Sequence, residues 1–314
     1  MGHRMALRRT AAVVVAVLLV VGAFVVRSLT DHGGDDGTGP RPGTDGGRVT
    51  CVADLADACR AVARELGVDV TVERWLDTAA RLDAGEAVGT WVTLAPLDAL
   101  VETGDRSLVA SSQLGLLGRA DRMAALADGC AGTAIWRCVG DQAGRPWSEL
   151  GGEARWGSLL PGLADPTASA VGALVLAHAN TAFFGGPAFN NVVMDASDEH
   201  ASWFAGLVAA VPDQVLDHPV AVFVGRPSVA GVVGSTSADF ESTGGGRLAE
   251  FTATYPEPMG RADVVVAGEA PDGFVEAIAA QLLAASWQAP ASGPNGMPSA
   301  ATMRALAQRW EEDR

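Results

Sequence analysis

Apolar and polar positions along this chain change their spacing segment by segment. Residues 11 to 26, "AAVVVAVLLVVGAFVV", are apolar without interruption. Residues 31 to 47, "DHGGDDGTGPRPGTDGG", hold no large apolar side chain, so they can bury nothing and read as a solvated tether. From Arg48 onward the pattern is that of a folded body. "RVTCV" (48–52) reads as a strand, and "ADLADACRAVARELG" (53–67) places apolar residues at three-and-four spacing, which predicts an amphipathic helix. "VDVTVE" (68–73) predicts a strand, a helix follows through Trp75 to Ala84, and "GTWVTLAP" (89–96) predicts a third strand. Such alternation predicts an α/β body with a parallel sheet of βαβ units.

Further along, "RSLVASSQLGLL" (106–117) reads as an extended crossing segment, and "GCAGTAIWRCVGDQAGRPW" (129–147) as a turn-rich element. "RWGSLLPGLADP" (155–166) predicts a strand and loop leading into the small-residue helix of "GLADPTASAVGALVLAHA" (162–179). A helix is expected from about Ser197 to Val211. "HPVAVFVGRP" and "SVAGVVGSTSADF" (218–240) resume strand and strand-turn-helix patterns. After "RLAEFTATYPEPMGRADVVVAGEA" (247–270), helices are expected at 271–287 and 297–312, each with a proline in its first turn. The tryptophans and phenylalanines are read as core, and no cofactor is called for.

Charge changes the picture at the N-terminus. Arg4, Arg8, Arg9 and Arg27 are unopposed by any acid in the first thirty residues; of the net −15 on the chain they contribute +4, so the remainder carries −19. Basic residues ahead of an apolar run keep the N-terminus in the cytoplasm and export the body. Residues 1–30 are therefore read as a single-pass anchor in the lipid bilayer, spanning through residues 10–26 with arginine stems extending it. A signal peptide cleaved after Gly22-Ala23 is the rival reading. The expected location is the cell membrane, with the folded domain on the extracytoplasmic side. So acidic a body repels phosphate backbones, which argues against nucleic acid. No lysine occurs in the sequence, and that excludes Schiff-base lysines, Ser-Lys dyads and a phosphate-loop lysine.

Export gives the four cysteines meaning. They fall as two local pairs of equal spacing, Cys51 with Cys59 and Cys130 with Cys138. In an oxidising compartment four cysteines allow three pairings, of which the local one closes two small loops. A four-thiolate zinc site is the rival, but the short Cys-x-x-Cys knuckle is missing.

Candidate chemistry lies at strand ends and helix starts. Asp165 stands where an N-cap belongs, Pro166 at the first helical position, and Thr167 and Ser169 in the first turn. Such a start either closes on its own cap or receives an anion or polar ligand end. "VVGSTSADF" (232–240) repeats the grammar with Ser235 and Thr236, and Thr236 to Asp239 also has capping-box spacing. Thr93 sits near a strand end before Pro96. Hydroxyls at several such ends are what a cleft outside carboxyl strand ends would use.

With these pieces in order, the chain resembles the type 2 periplasmic-binding-protein fold, the two-lobed solute receptors of ABC importers. The carrying segments are "GTWVTLAP", "LVASSQLGL", "GLADPTASAVGALVL", "VVGSTSADF" and "TATYPEPMGRADVVVAG". The resemblance implies a first lobe of 48–107 plus 219–314 and a second of 108–218. It implies a small-molecule solute in the interlobe cleft, a membrane permease or other membrane protein as partner, and no catalysis. By position it points to Thr93, Ser111, Ser112, Thr167, Ser169, Ser235 and Thr236 as ligand-binding residues, a neutral donor set that suits an oxyanion. Two departures stand out: the first-strand loop is "CVAD", and no lipid-modified cysteine follows the apolar run. A degenerate receptor fold serving as a membrane-tethered sensor or interaction module is the alternative; hydroxyls pointing into packed core would favour it.

Enzyme readings find little. No Gly-x-Ser-x-Gly elbow occurs, and the five histidines show no metal-ligand spacing. His178, late in an apolar helix, reads as packed core, and the Asp195, Asp198, Glu199, His200 group as a solvated helix start.

Overall fold

The computed structural model describes residues 48–101, 104–244 and 249–314. The expected anchor and tether lie outside them. Among the described residues no helix is long and apolar enough to cross a membrane.

β1 (Val49–Val52), α1 (Ala56–Leu66), β2 (Val70–Glu73), α2 (Trp75–Asp83) and β3 (Thr90–Ala95) alternate as the periodicity predicts. β1 pairs in parallel with both β2 and β3, the product of two βαβ units. β4 (Arg106–Arg119) then leads through α3 (Ala120–Gly129), α4 (Ile135–Asp141), the two-residue β5 (Pro161–Gly162), α5 (Ala170–Phe184), α6 (Asn191–Asp195) and α7 (Asp198–Ala210). α8 (Pro219–Gly225), β6 (Val232–Thr236), α9 (Ser237–Gly244), β7 (Phe251–Thr254), β8 (Arg261–Ala267), α10 (Phe274–Ala284) and α11 (Ala300–Asp313) complete the described chain.

The strands form one path, β2-β1-β3-β8-β4-β6-β5, with β7 also on β4. β4 belongs to both lobes. Its residues Arg106–Gln113 pair antiparallel with β8, and Leu114–Arg119 pair with β6 and β7. The crossing expected at 106–117 is therefore this strand. The return comes later than residue 219, however, because β6 and β7 pair with the second-lobe half of β4, and only β8 pairs back to β3. An apolar run does not say which sheet edge it will join.

Two local expectations change. Residues 219–225 form helix α8 rather than a strand: Pro219 suits a first helical turn, and Val220, Phe223 and Val224 are buried at helical spacing. Residues 155–166 contribute only the short β5.

α5 is apolar on every side and is buried along nearly its whole length, as such a helix must be. It packs on β6 through Gly234, where an added Cβ would fall 2.5 Å from Val175 Cγ1. α11 packs against α5 and α7 and also against the 97–100 turn of the first lobe. Five tryptophans, Trp75, Trp91, Trp136, Trp147 and Trp310, are fully buried. Cys51 is bonded to Cys59 and Cys130 to Cys138, the local pairing.

Candidate ligand cleft

A cleft of about 670 Å³ opens between the lobes. One wall is the turn 53–58 that follows β1, together with Leu282, Ala285 and Trp287 near the end of α10. The facing wall is the first turn of α5, the segment 216–221, and the β6–α9 junction.

The first turn of α5 is built differently from the sequence expectation. The helix begins at Ala170, and Ser169 is its N-cap, its Oγ accepting from the Gly172 N–H at 2.8 Å. Asp165 caps the preceding turn: its Oδ1 accepts from the Thr167 N–H at 2.9 Å and the Thr167 hydroxyl at 2.8 Å. The two remaining helix-start donors are taken from across the cleft. Asp54 accepts from the Ala170 N–H at 2.7 Å, from the Val171 N–H at 3.3 Å, and from the Ser169 hydroxyl. A first-lobe carboxylate thus occupies the positive end of a second-lobe helix. Asp54 is open to cleft water yet ringed by protein. That surrounding pushes its carboxyl above the ordinary value of 3.8, while its three donors pull the other way. A second bond joins the lobes nearby, where the buried Trp75 indole donates to the Pro166 carbonyl at 2.8 Å.

The β6–α9 junction repeats the theme. Asp239 accepts from the Ser235 hydroxyl at 2.6 Å and the Thr243 hydroxyl at 2.8 Å, while the Thr236 hydroxyl caps the Asp239 N–H at 3.1 Å. Cleft hydroxyls are therefore aimed at cleft carboxylates. The charged lining consists of Asp54, Asp57, Asp217 and Asp239, with His218 beside them and no arginine among the described lining residues.

Of the seven sequence-derived positions, Ser169, Ser235 and Thr236 line this cleft. Thr167 does not line it; its hydroxyl is buried and spent on Asp165. Thr93, Ser111 and Ser112 do not line it. Thr93 is fully buried in β3, its hydroxyl without a partner. The Ser111 hydroxyl donates to Asp263 at 2.6 Å and accepts from the Ala291 N–H. Ser112 bonds Ser237 at 2.9 Å and caps the Ala238 N–H. These three belong to packed core because β4 and β3 are covered on both faces. Asp54 was signalled only as the acid of "CVAD"; nothing local links it to a helix 115 residues on.

The two histidines that the sequence singled out, His178 and His200, lie in the interior. His178 is fully buried, its Nε2 bonded to the Pro258 carbonyl at 2.7 Å. The expected solvated start at 195–200 is only partly so. Asp195 pairs with Arg309 at 2.8 Å and Glu199 with Arg137 at 2.5 Å, but His200 is fully buried against Asn180 at 2.6 Å.

No protein-family model and no curated protein matches the sequence. Solved structures do match. A periplasmic thiamin binding protein aligns with a TM-score of 0.51 at 11% identity, covering 88% of this chain and 98% of that one. The periplasmic binding protein AfuA from Actinobacillus pleuropneumoniae, with fructose-6-phosphate bound, aligns at 0.48 and 11% identity, covering 85% and 97%. At such identity the likeness is one of fold: the chain has the two-lobed α/β fold of periplasmic solute-binding proteins.

Proposed function

We propose that this chain is an extracytoplasmic solute-binding receptor that takes a small organic cation into its interlobe cleft, without chemical turnover. The observation that carries the charge assignment is the lining: four aspartates, no arginine among the described lining residues, and the α5 helix-start donors already engaged by Asp54. A cleft of one sign with low-dielectric walls concentrates the opposite ion, and a body of net −19 beyond the first thirty residues adds to that field. Trp287 and the aliphatic wall supply apolar area for the solute's carbon frame. The oxyanion expected from a neutral donor set loses its support, since Ser169 donates to Asp54, Ser235 to Asp239 and Thr167 to Asp165, and Thr93, Ser111 and Ser112 do not line the cleft. Residues 10–26 are read as the span in the bilayer, residues 31–47 as the tether, and a membrane permease or other membrane protein as the partner that receives the solute.

A second reading, a membrane-tethered interaction module with a degenerate cleft, is favoured by one observation: Thr93, Ser111 and Ser112 are spent in packed core. Tryptophan-fluorescence melting of the full-length chain in non-ionic detergent separates the two. A solute at a hundredfold over its Kd adds about 2.7 kcal/mol, a shift of several degrees. Against a panel of oxyanions, amino acids, sugars and polyamines, stabilisation by amines is expected. A hit confined to oxyanions overturns the charge assignment, and a silent panel favours the interaction module.

A further inference from the structure

A buried helix that opens into a cleft ordinarily leaves its first backbone donors to water or to a ligand, and its dipole favours an anion there. At α5 those donors are filled from the opposite lobe. Asp54 spans them with both oxygens, Oδ2 on the Ala170 N–H and Oδ1 on the Val171 N–H, and Oδ1 also receives the Ser169 hydroxyl. The turn that presents Asp54 is closed by the Cys51–Cys59 disulfide, which ties the end of β1 to α1 and fixes where the carboxylate stands. Asp54, Ser169 and Val171 all line the cleft, so the contact lies on the solute's path rather than in sealed core.

We propose that Asp54 is the specificity-determining residue of the cleft: its carboxylate stands in for a ligand anion on the α5 N-terminus and bars oxyanions from it. This rests on the reading of the cleft as a solute site and deepens it. With the helix end neutralised from within, the positive pole of α5 no longer offsets the cleft aspartates. The cleft is left to cations. Removal of the Asp54 side chain exposes the same three donors to a mobile anion of similar shape, a carboxylate or a sulfate.

The test uses the full-length chain in non-ionic detergent, melted in chloride, acetate and sulfate at matched ionic strength. Wild type, Asp54→Ala, and the double variant Asp54→Ala with Ser169→Ala are compared. Asp54→Ser, which keeps a small polar group on the turn, is held to the same criterion should the alanine variant not melt cooperatively. In chloride, Asp54→Ala is expected to melt several degrees below wild type. Acetate and sulfate in the tens of millimolar should then restore at least half of that deficit with a saturable dependence. The double variant should show no such recovery, and its response reports the general salting effect of sulfate. Absence of a saturable recovery in the single variants overturns the proposal, as does an equal anion response in wild type. A silent solute panel would remove the receptor reading without producing either of those results, because neither acetate nor sulfate is the receptor's solute.

Discussion

Thr93 is the residue where expectation and structure part most sharply, and it yields a sign-reversed prediction. As a cleft hydroxyl it would be lost at a cost to binding. In the fold its Oγ1 is buried without a partner, and an unpaired buried hydroxyl is a net liability. Thr93→Val, nearly the same shape, should therefore raise stability by about 1 kcal/mol in urea denaturation and leave solute binding unchanged. A stability loss with impaired binding would restore Thr93 to the site. The reason the sequence misled here is physical. Strand alternation tells that side chains take opposite faces, but when both faces are covered it cannot tell which hydroxyl reaches water. Ser169 was read as a first-turn hydroxyl behind an Asp165 cap; in the fold it is itself the cap, and it lines the cleft. Asp54 was not, because its partner is set by how two lobes meet.

At the scale of the element, α5 carries the most information. Its all-round apolar surface announced a buried helix, and its small residues announced a close approach at the start. Only the position of the cap was misplaced, by one turn: Asp165 organises the turn ahead and Ser169 begins the helix. That start admits no added bulk. A Cβ at Gly172 would stand 2.5 Å from the Ala164 carbonyl oxygen and 3.1 Å from that of Asp165, both backbone atoms. Gly172→Ala should cost about 1–3 kcal/mol despite alanine's better helix propensity. It should also loosen the Asp54 contact, since the Ser169 hydroxyl that bonds Gly172 also bonds Asp54. An unchanged denaturation midpoint would show that the turn has room to shift. The opposite lesson comes from α8, where valines at 220, 222 and 224 read as a strand. Burial of one face against the second lobe overrode that preference, and Pro219 begins the helix.

On the scale of the whole molecule, the βαβ order and the crossing strand were readable from the alternation of elements. The long-range ties that hold the lobes together were not. His200 shows what such a tie does to stability. It sits where α5, α7 and α11 meet, its Nε2 on Asn180 and its Nδ1 facing the Arg309 guanidinium at 3.4 Å, among Phe183, Phe184 and Trp203. Burial first, and Arg309 second, lower its pKa from 6.5 to about 4; a bond from the ring to the Met194 backbone and the charge of Asp195 oppose that shift. A histidine kept neutral in the fold contributes stability above 6.5 that is lost as pH falls toward 4, because only the unfolded chain takes up the proton. Between pH 7 and pH 5 the loss from this ring is about 2 kcal/mol. His178, also buried and lowered, acts in the same direction. Asp98, Asp54 and Asp141 have the opposite sign, since a raised carboxyl returns stability as pH falls through its folded value toward 3.8, so the ring's share is read from the difference between wild type and a variant without it. Urea titrations at pH 7 and pH 5 should therefore show His200→Gln losing about 2 kcal/mol less than wild type. Equal losses in the two proteins would mean that His200 carries its proton in the fold. A ring charged in that way could no longer accept from Arg309 and would repel it, leaving Asp195, already 2.8 Å from the guanidinium Nη2, to hold Arg309.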